Sequence, residues 1–132
     1  MIPEGAPAVE LVDAWRERFA RERLDLAAEA AGARVQAERC ARLLVERFGA
    51  ARVYLVGSLA RGRGFHRYSD IDLAVSGLPS EHYLTAVDAL YRLVGRDIDL
   101  IRMEDAADEM SGHVAAEGEL LYERTQAPAA DS

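Results

Sequence analysis

Two pairs of aspartates lie on short apolar segments typical of β-strands. One apolar residue separates Asp70 from Asp72, and the same spacing recurs at Asp97 and Asp99. Because alternate side chains of a strand point to one face, each pair should present its carboxylates together. Carboxylates this close repel unless a cation lies between them, and clustered oxygens suit hard ions such as Mg²⁺. The spacing therefore predicts a divalent-cation site.

A glycine-rich segment precedes the first aspartate pair. Gly57 and Gly62 let the backbone turn tightly and present N–H groups, and Ser58 adds a hydroxyl donor, as phosphate-binding loops require. Arg61 would either neutralise phosphate charge or pair with a surface carboxylate, and we favour the first role. We expect these four residues to bind the phosphates of a nucleotide.

The third carboxylate of such a site could come from Asp97 or from Asp99. Both lie on the next predicted strand and on the same face, so spacing alone does not decide between them. Two ions held by three carboxylates can activate an attacking hydroxyl and neutralise pyrophosphate as it leaves. His66, in the connection before the acidic strand, could shuttle a proton, but a lone loop histidine is usually only solvated.

Strands that alternate with helices must position these groups. Predicted strands cover residues 52–56, 70–75, 97–102 and 119–122, and the predicted helices after the first strand cover residues 80–94 and 104–117. Ser80 is the expected N-cap of the first of these helices, and residues 59–68 are expected to form a connection. The pattern indicates an α/β or α+β sheet layered with helices.

Residues 9–48 predict one long helix, or two helices divided near Gly32. We expect residues 1–48 to form a helical extension, residues 49–124 the core, and residues 125–132 a loose tail. The apolar stripe of the helix is longer than one small sheet can cover, which predicts a homo-oligomer through this helix. Trp15 and Phe19 on that stripe are read as core or interface residues.

Length and charge limit the classes of function. A chain of 132 residues accommodates one ordinary domain, and its formal charge of −7 argues against binding long stretches of nucleic acid. The single cysteine, Cys40, lies in a helical apolar pattern and is expected to be a small buried residue. No apolar run reaches a membrane span and no signal peptide is evident, so we expect a cytoplasmic protein.

The combined motif resembles the DNA polymerase β-like nucleotidyltransferase superfamily, and within it the minimal nucleotidyltransferases. The resemblance rests on Gly57-Ser58 with Ala60-Arg61-Gly62, then Ser69-Asp70-Ile71-Asp72-Leu73, and later Ile98-Asp99-Leu100-Ile101. It implies a small mixed sheet flanked by helices, and the long helical extension before that core departs from the family's usual arrangement. It also implies that the metal ligands are Asp70, Asp72 and Asp99, and that Asp97 is not one of them. The implied metal is Mg²⁺, with two ions bound, and the implied substrate is ATP.

The same resemblance implies a protein partner. Minimal nucleotidyltransferases are commonly antitoxins that transfer AMP from ATP to a tyrosine of a HEPN-type toxin. Two alternatives stay open: a non-catalytic module that masks a partner sterically, and a transferase that modifies a small molecule.

Overall fold

The computed structural model describes residues 8–62, residue 65 and residues 69–125. The helices are α1 (Ala8–Phe48), α2 (Gly57–Arg61), α3 (Tyr83–Val94) and α4 (Asp108–Glu117). The strands are β1 (Arg52–Val56), β2 (Ile71–Ser76), β3 (Ile98–Arg102) and β4 (Glu119–Glu123). Two 3₁₀ turns, Ser80–His82 and Met103–Asp105, precede α3 and α4. The predicted strands are thus confirmed to within one residue at each end.

The four strands form one mixed sheet in the order β3-β2-β1-β4. β1 pairs antiparallel with both β2 and β4, whereas β2 and β3 run parallel. Parallel neighbours need a long crossover, and α3 supplies it between β2 and β3. A mixed sheet layered with helices confirms the predicted fold class.

The two faces of the sheet differ in character. Val53, Leu55, Ile71 and Leu73 are fully buried on the face against which α1 packs, and the more apolar face of α3 contributes to the same core. The opposite face carries Val56, Asp72, Asp99 and Ile101 and is covered only in part, since α4 lies beside β1. Alternation along each strand therefore separates a hydrophobic face from a face that carries the aspartates.

α1 is one continuous helix of 41 residues, and Gly32 does not interrupt it. Its second half packs on the sheet through small side chains with at most 1% exposure: Ala33, Ala37, Cys40 and Ala41. Small residues let the helix backbone approach the sheet closely, and Leu44 then fills the core beyond them. The prediction of a buried Cys40 is confirmed, and burial raises the pKa of its thiol to about 11.

Two other predictions about α1 have different outcomes. Trp15 and Phe19 are about half exposed, so neither is a core residue of the described chain. The predicted division at residue 48 stays a prediction, although the last third of α1 contributes to the same core as the sheet. No helix in residues 8–62 or 69–125 is long and apolar enough to cross a membrane.

Ser80 is not the N-cap of α3, and that prediction was wrong. A 3₁₀ turn takes up Ser80–His82, Pro79 caps it, and α3 begins only at Tyr83. The Tyr83 hydroxyl donates to the carbonyl of Leu100 at 2.6 Å, which ties the start of α3 to β3. A tertiary hydrogen bond thus accompanies a helix start that the capping rule placed two residues too early, since the observed N-cap is His82.

Candidate functional site

Asp72 and Asp99 are adjacent across the parallel strands β2 and β3. Their Cα atoms are register partners, flanked by the pairs Ile71–Ile98 and Leu73–Leu100. Side chains at paired positions of neighbouring strands share a face, so both carboxylates project to the partly open side of the sheet. Asp72 is half-buried and Asp99 is exposed. The register therefore brings together two of the three predicted ligands.

Asp70 and Asp97 lie immediately before β2 and β3, and both are exposed. The backbone of Asp97 bonds to the start of β2, because its carbonyl accepts a hydrogen bond from the Ile71 N–H at 3.4 Å. Burial raises the pKa of the Asp72 carboxyl first, and the negative charges of Asp99 and Asp70 raise that pKa further. Asp97 is not among the groups that shift it. The electrostatic cluster thus comprises Asp70, Asp72 and Asp99.

The start of α2 approaches this cluster closely. Gly57, its first residue, has a φ of +75°, and a Cβ built on it would overlap Oδ2 of Asp72 and lie 3.0 Å from its Cγ. Gly57 therefore meets two requirements at once, a left-handed backbone and the absence of a side chain. The Asp72 side chain occupies the space that any other residue at position 57 would need.

The predicted connection over residues 59–68 is partly helical, which corrects that prediction. α2 covers Gly57–Arg61 and ends at Gly62, whose φ is +74° and whose N–H bonds back to the carbonyls of Ser58 and Leu59. Leu59 is buried and anchors the helix on the core. Short runs around glycines resemble loops in sequence, so only this packing contact distinguishes the helix.

The predicted phosphate-binding residues all lie in or directly after α2. Ser58 is half-buried, Arg61 is exposed, and the positive charge of Arg61 lowers the pKa of Asp72. Arg61 thus lies close enough to the carboxylates to affect them, and none of the ion pairs within the described residues involves it. His66, considered above as a proton shuttle, lies outside the described residues.

A pocket of about 190 Å³ lies beside the acidic cluster. α2 contributes Gly57, Ala60 and Arg61 to its wall, β3 contributes Ile101, and α4 contributes His113 and Glu117 among others. Ile101 lies two residues after Asp99, so the pocket opens on the face that carries the aspartates. Sequence reasoning missed the contribution of α4, because only tertiary packing brings His113 and Glu117 beside α2.

The chemistry of the donor set fits Mg²⁺. All three candidate ligands are carboxylates, the hard oxygen donors that this ion prefers, and their mutual repulsion is the property that a bound cation relieves. Within the described residues, no three potential ligands converge closely enough to form a ready-made metal site. The fit to magnesium therefore rests on donor type and charge.

The family described as polymerase beta, nucleotidyltransferase matches residues 38–127. A solved structure of a minimal nucleotidyltransferase aligns with a TM-score of 0.58 and 29% identity, covering 67% of this chain and 92% of the other. A toxin–antitoxin with AMP-PNP aligns at 0.56 with 26% identity, covering 67% and 75%.

A third structure shows a likeness of fold alone. It is a tri-AMPylated HEPN toxin from Shewanella oneidensis in complex with an MNT antitoxin, with a TM-score of 0.52, 24% identity and coverage of 70% and 73%. A comparison with proteins of curated function finds no match.

Replacement of Gly57 by alanine tests the contact with Asp72. Gly62→Ala is the matched control, because Gly62 has nearly the same φ but nothing lies within 4 Å of its built Cβ. In both variants the free energy of unfolding should fall by about 1–2 kcal/mol, because alanine is strained in the left-handed backbone conformation. In Gly57→Ala the free energy of unfolding should fall by about 1 kcal/mol or more beyond that, because the new Cβ overlaps the Asp72 side chain and should displace it. Urea unfolding measures the difference, and equal losses would contradict the contact.

Removal of the charge of Asp72 should stabilise the metal-free protein. A raised carboxyl pKa means that the folded state disfavours the ionised form, so the charge destabilises the fold at neutral pH. Asp72→Asn should therefore raise the Tm in EDTA by roughly 1–4 °C, whereas Asp97→Asn should change it little. Added Mg²⁺ should raise the Tm of the wild-type protein but not that of Asp72→Asn. A lower Tm for Asp72→Asn in EDTA would contradict the repulsion.

Proposed function

The chain belongs to the polymerase beta nucleotidyltransferase family, and on that premise we propose that it transfers AMP from Mg²⁺-bound ATP to a hydroxyl of a HEPN-type protein partner. The observation that carries the proposal is the register pairing of Asp72 with Asp99 beside Gly57. This pairing places like charges together at the point where a helix begins. Such an arrangement destabilises a metal-free protein and becomes favourable once cations and a nucleotide are bound.

Asp70, Asp72 and Asp99 would hold the metal. When bound there, Mg²⁺ supplies Lewis-acid charge that neutralises the triphosphate and lowers the pKa of the attacking hydroxyl. Asp99 is exposed at the edge of the cluster and is the group that we assign to accept the hydroxyl proton. The acceptor oxygen forms a bond to the α-phosphorus, the bond from that phosphorus to the bridging oxygen breaks, and pyrophosphate leaves.

α2 would orient the triphosphate. The N–H groups at the start of a helix have no intrahelical partners, so those of Gly57 and Ser58 can donate to phosphate oxygens. The Ser58 hydroxyl is a further donor, and none of the hydrogen bonds found in the described chain involves it. Arg61 would supply the positive charge that the acidic cluster lacks. The pocket between α2 and α4 would take an apolar part of the nucleotide.

Antitoxin action on a HEPN-type partner is the finer part of the proposal. It is supported by the motif and by the likeness to a toxin–antitoxin that was solved with AMP-PNP, an ATP analogue. The charge of −7 is also consistent with a protein acceptor and not with a long nucleic acid, whose phosphates the chain would repel.

Calorimetric titration with AMP-PNP tests the nucleotide site. We expect binding in Mg²⁺ that weakens at least tenfold in EDTA and in the Asp70→Asn, Asp72→Asn double variant, because cation and carboxylates act together. Asp97→Asn is the matched control and should bind like the wild type. Binding that is unaffected by EDTA, or an Asp97 variant as weak as the double variant, would contradict the assignment of ligands. No binding at all would favour the masking alternative.

Intact-mass measurement tests the acceptor. With ATP, Mg²⁺ and a purified HEPN-type protein, we expect the partner to gain mass in steps of one AMP, and we expect the gain to disappear when its acceptor tyrosine is changed to phenylalanine. Asp99→Asn should slow the transfer by about 100-fold or more, as loss of a general base does, while AMP-PNP binding falls less. Retained binding without any transfer would reject the protein acceptor and leave the nucleotide site intact.

A further inference from the structure

Of the three candidate metal ligands, Asp70 is the one that lies outside the strand register. Asp72 and Asp99 are register partners, whereas the paired positions of β2 and β3 begin only at Ile71. Asp70 precedes that first pair by one residue and is exposed. Strand pairing therefore orients Asp72 and Asp99 directly, and the orientation of Asp70 depends on the segment that leads into β2.

Arg96 contacts that segment from the turn between α3 and β3. Its Nη1 donates to the carbonyl of Ser69 at 3.5 Å. The Ser69 carbonyl and the Asp70 N–H belong to one planar peptide group, so a contact that holds the carbonyl also orients the bond that leads to the Asp70 Cα. Arg96 is thus placed to restrain Asp70 through the backbone.

Two other segments of the chain hold the same guanidinium. Its Nη2 contacts Oε1 of Glu29 on α1 at 3.5 Å, and its Cζ lies 5.5 Å from the ring centroid of the buried Phe65. The side chain of Arg96 is only 21% exposed. Each contact is long and weak by itself, but contacts with three separate segments together fix the plane of the guanidinium.

α1 holds the same turn at a second point. Gln36 lies seven residues after Glu29, which is about two helical turns, so both side chains leave the same face of the helix. The Nε2 of Gln36 donates to the carbonyl of Val94 at 3.5 Å, at the end of α3. The family match begins at residue 38, so both contacts come from the part of α1 that precedes it.

We propose that Arg96 is a positioning residue for the metal site: it holds the peptide group that precedes Asp70, and the helical extension holds Arg96 through Glu29. The inference rests on the proposed function, because it concerns the same carboxylates. Arg96 acts by contact, whereas the arginine whose charge lowers the pKa of Asp72 is Arg61. The extension thereby has a role at the site, which is to limit the motion of Asp70.

Hydrogen exchange followed by NMR on the full-length protein tests the restraint without metal or nucleotide. The reporter is the Ile71 N–H, which bonds to the Asp97 carbonyl beside the Arg96 contact. Arg96→Met keeps an unbranched side chain but removes the guanidinium. We expect this variant to speed exchange at Ile71, relative to exchange at Leu73 within the strand, by about fivefold or more, because the loss is local and not global.

Arg92→Met and Glu22→Ala are the matched controls. Arg92 is 78% exposed on α3, Glu22 is exposed on α1, and each has an ion-pair partner on its own helix. Neither control should change the ratio of exchange rates, whereas Glu29→Ala should raise it by a smaller factor than Arg96→Met does. A wild-type ratio in Arg96→Met, or an equal rise in Arg92→Met, would overturn the restraint. A wild-type ratio in Glu29→Ala would overturn the part assigned to the extension.

Titration with AMP-PNP at a fixed Mg²⁺ concentration tests the consequence for the site. Arg96→Met should weaken binding about tenfold, as the loss of a group that orients a metal ligand does. Arg96→Lys keeps the charge and a donor and should recover part of that loss. In the Asp70→Asn background Arg96→Met should change the affinity by less than about twofold, because the ligand through which it acts is gone.

The outcomes separate this inference from the proposed function. An effect of Arg96→Met that is as large in the Asp70→Asn background as in the wild type would overturn positioning through Asp70. A wild type that does not bind AMP-PNP would contradict the proposed function, and the exchange ratio would still decide whether Arg96 restrains the start of β2.

Discussion

The candidate site depends on the parallel, in-register pairing of β2 with β3. This pairing makes Asp72 and Asp99 neighbours on one face of the sheet and Leu73 and Leu100 neighbours on the buried face. A shift of one residue would turn the aspartates into the core and the leucines into solvent, so the hydrophobic core itself holds the carboxylates together. The crossover helix α3 makes the parallel arrangement possible, and the bond from Tyr83 to the Leu100 carbonyl fixes its start against β3.

The carboxylates of the cluster repel one another in the metal-free chain, and the contacts and the pKa of Asp72 show this repulsion. Asp72 is packed beneath Gly57, where a Cβ would collide with it, and the charges of Asp70 and Asp99 raise its pKa. Arg61 offsets these charges only in part. Sites of this kind persist when binding of ligand offsets the loss of stability, which is the expected relation between activity and stability in an enzyme. The repulsion is therefore itself an argument for a cationic ligand.

α1 combines two kinds of surface on one helical stripe. Small residues from Ala33 to Ala41 let its second half pack closely on the sheet, whereas Trp15 and Phe19 leave its first half with large exposed rings. Because the helix continues unbroken through Gly32, one element carries both surfaces. Between the two surfaces lies a groove that is lined by Leu26 and Ala30 of α1 and by Leu59 of α2.

The sequence by itself determined the features that arise from local patterns. Apolar runs defined the four strands, glycine ended the helices α1 and α3, and the family motif singled out Asp70, Asp72 and Asp99. It did not determine the helix Gly57–Arg61 or the start of α3 at Tyr83, because both accompany contacts with distant residues. Nor could spacing alone choose Asp99 over Asp97 as the neighbour of Asp72, or bring α4 to the pocket. Tertiary structure decides those outcomes, because strand register and helix docking depend on how much apolar surface the whole core buries. No local segment of the sequence encodes that total buried surface.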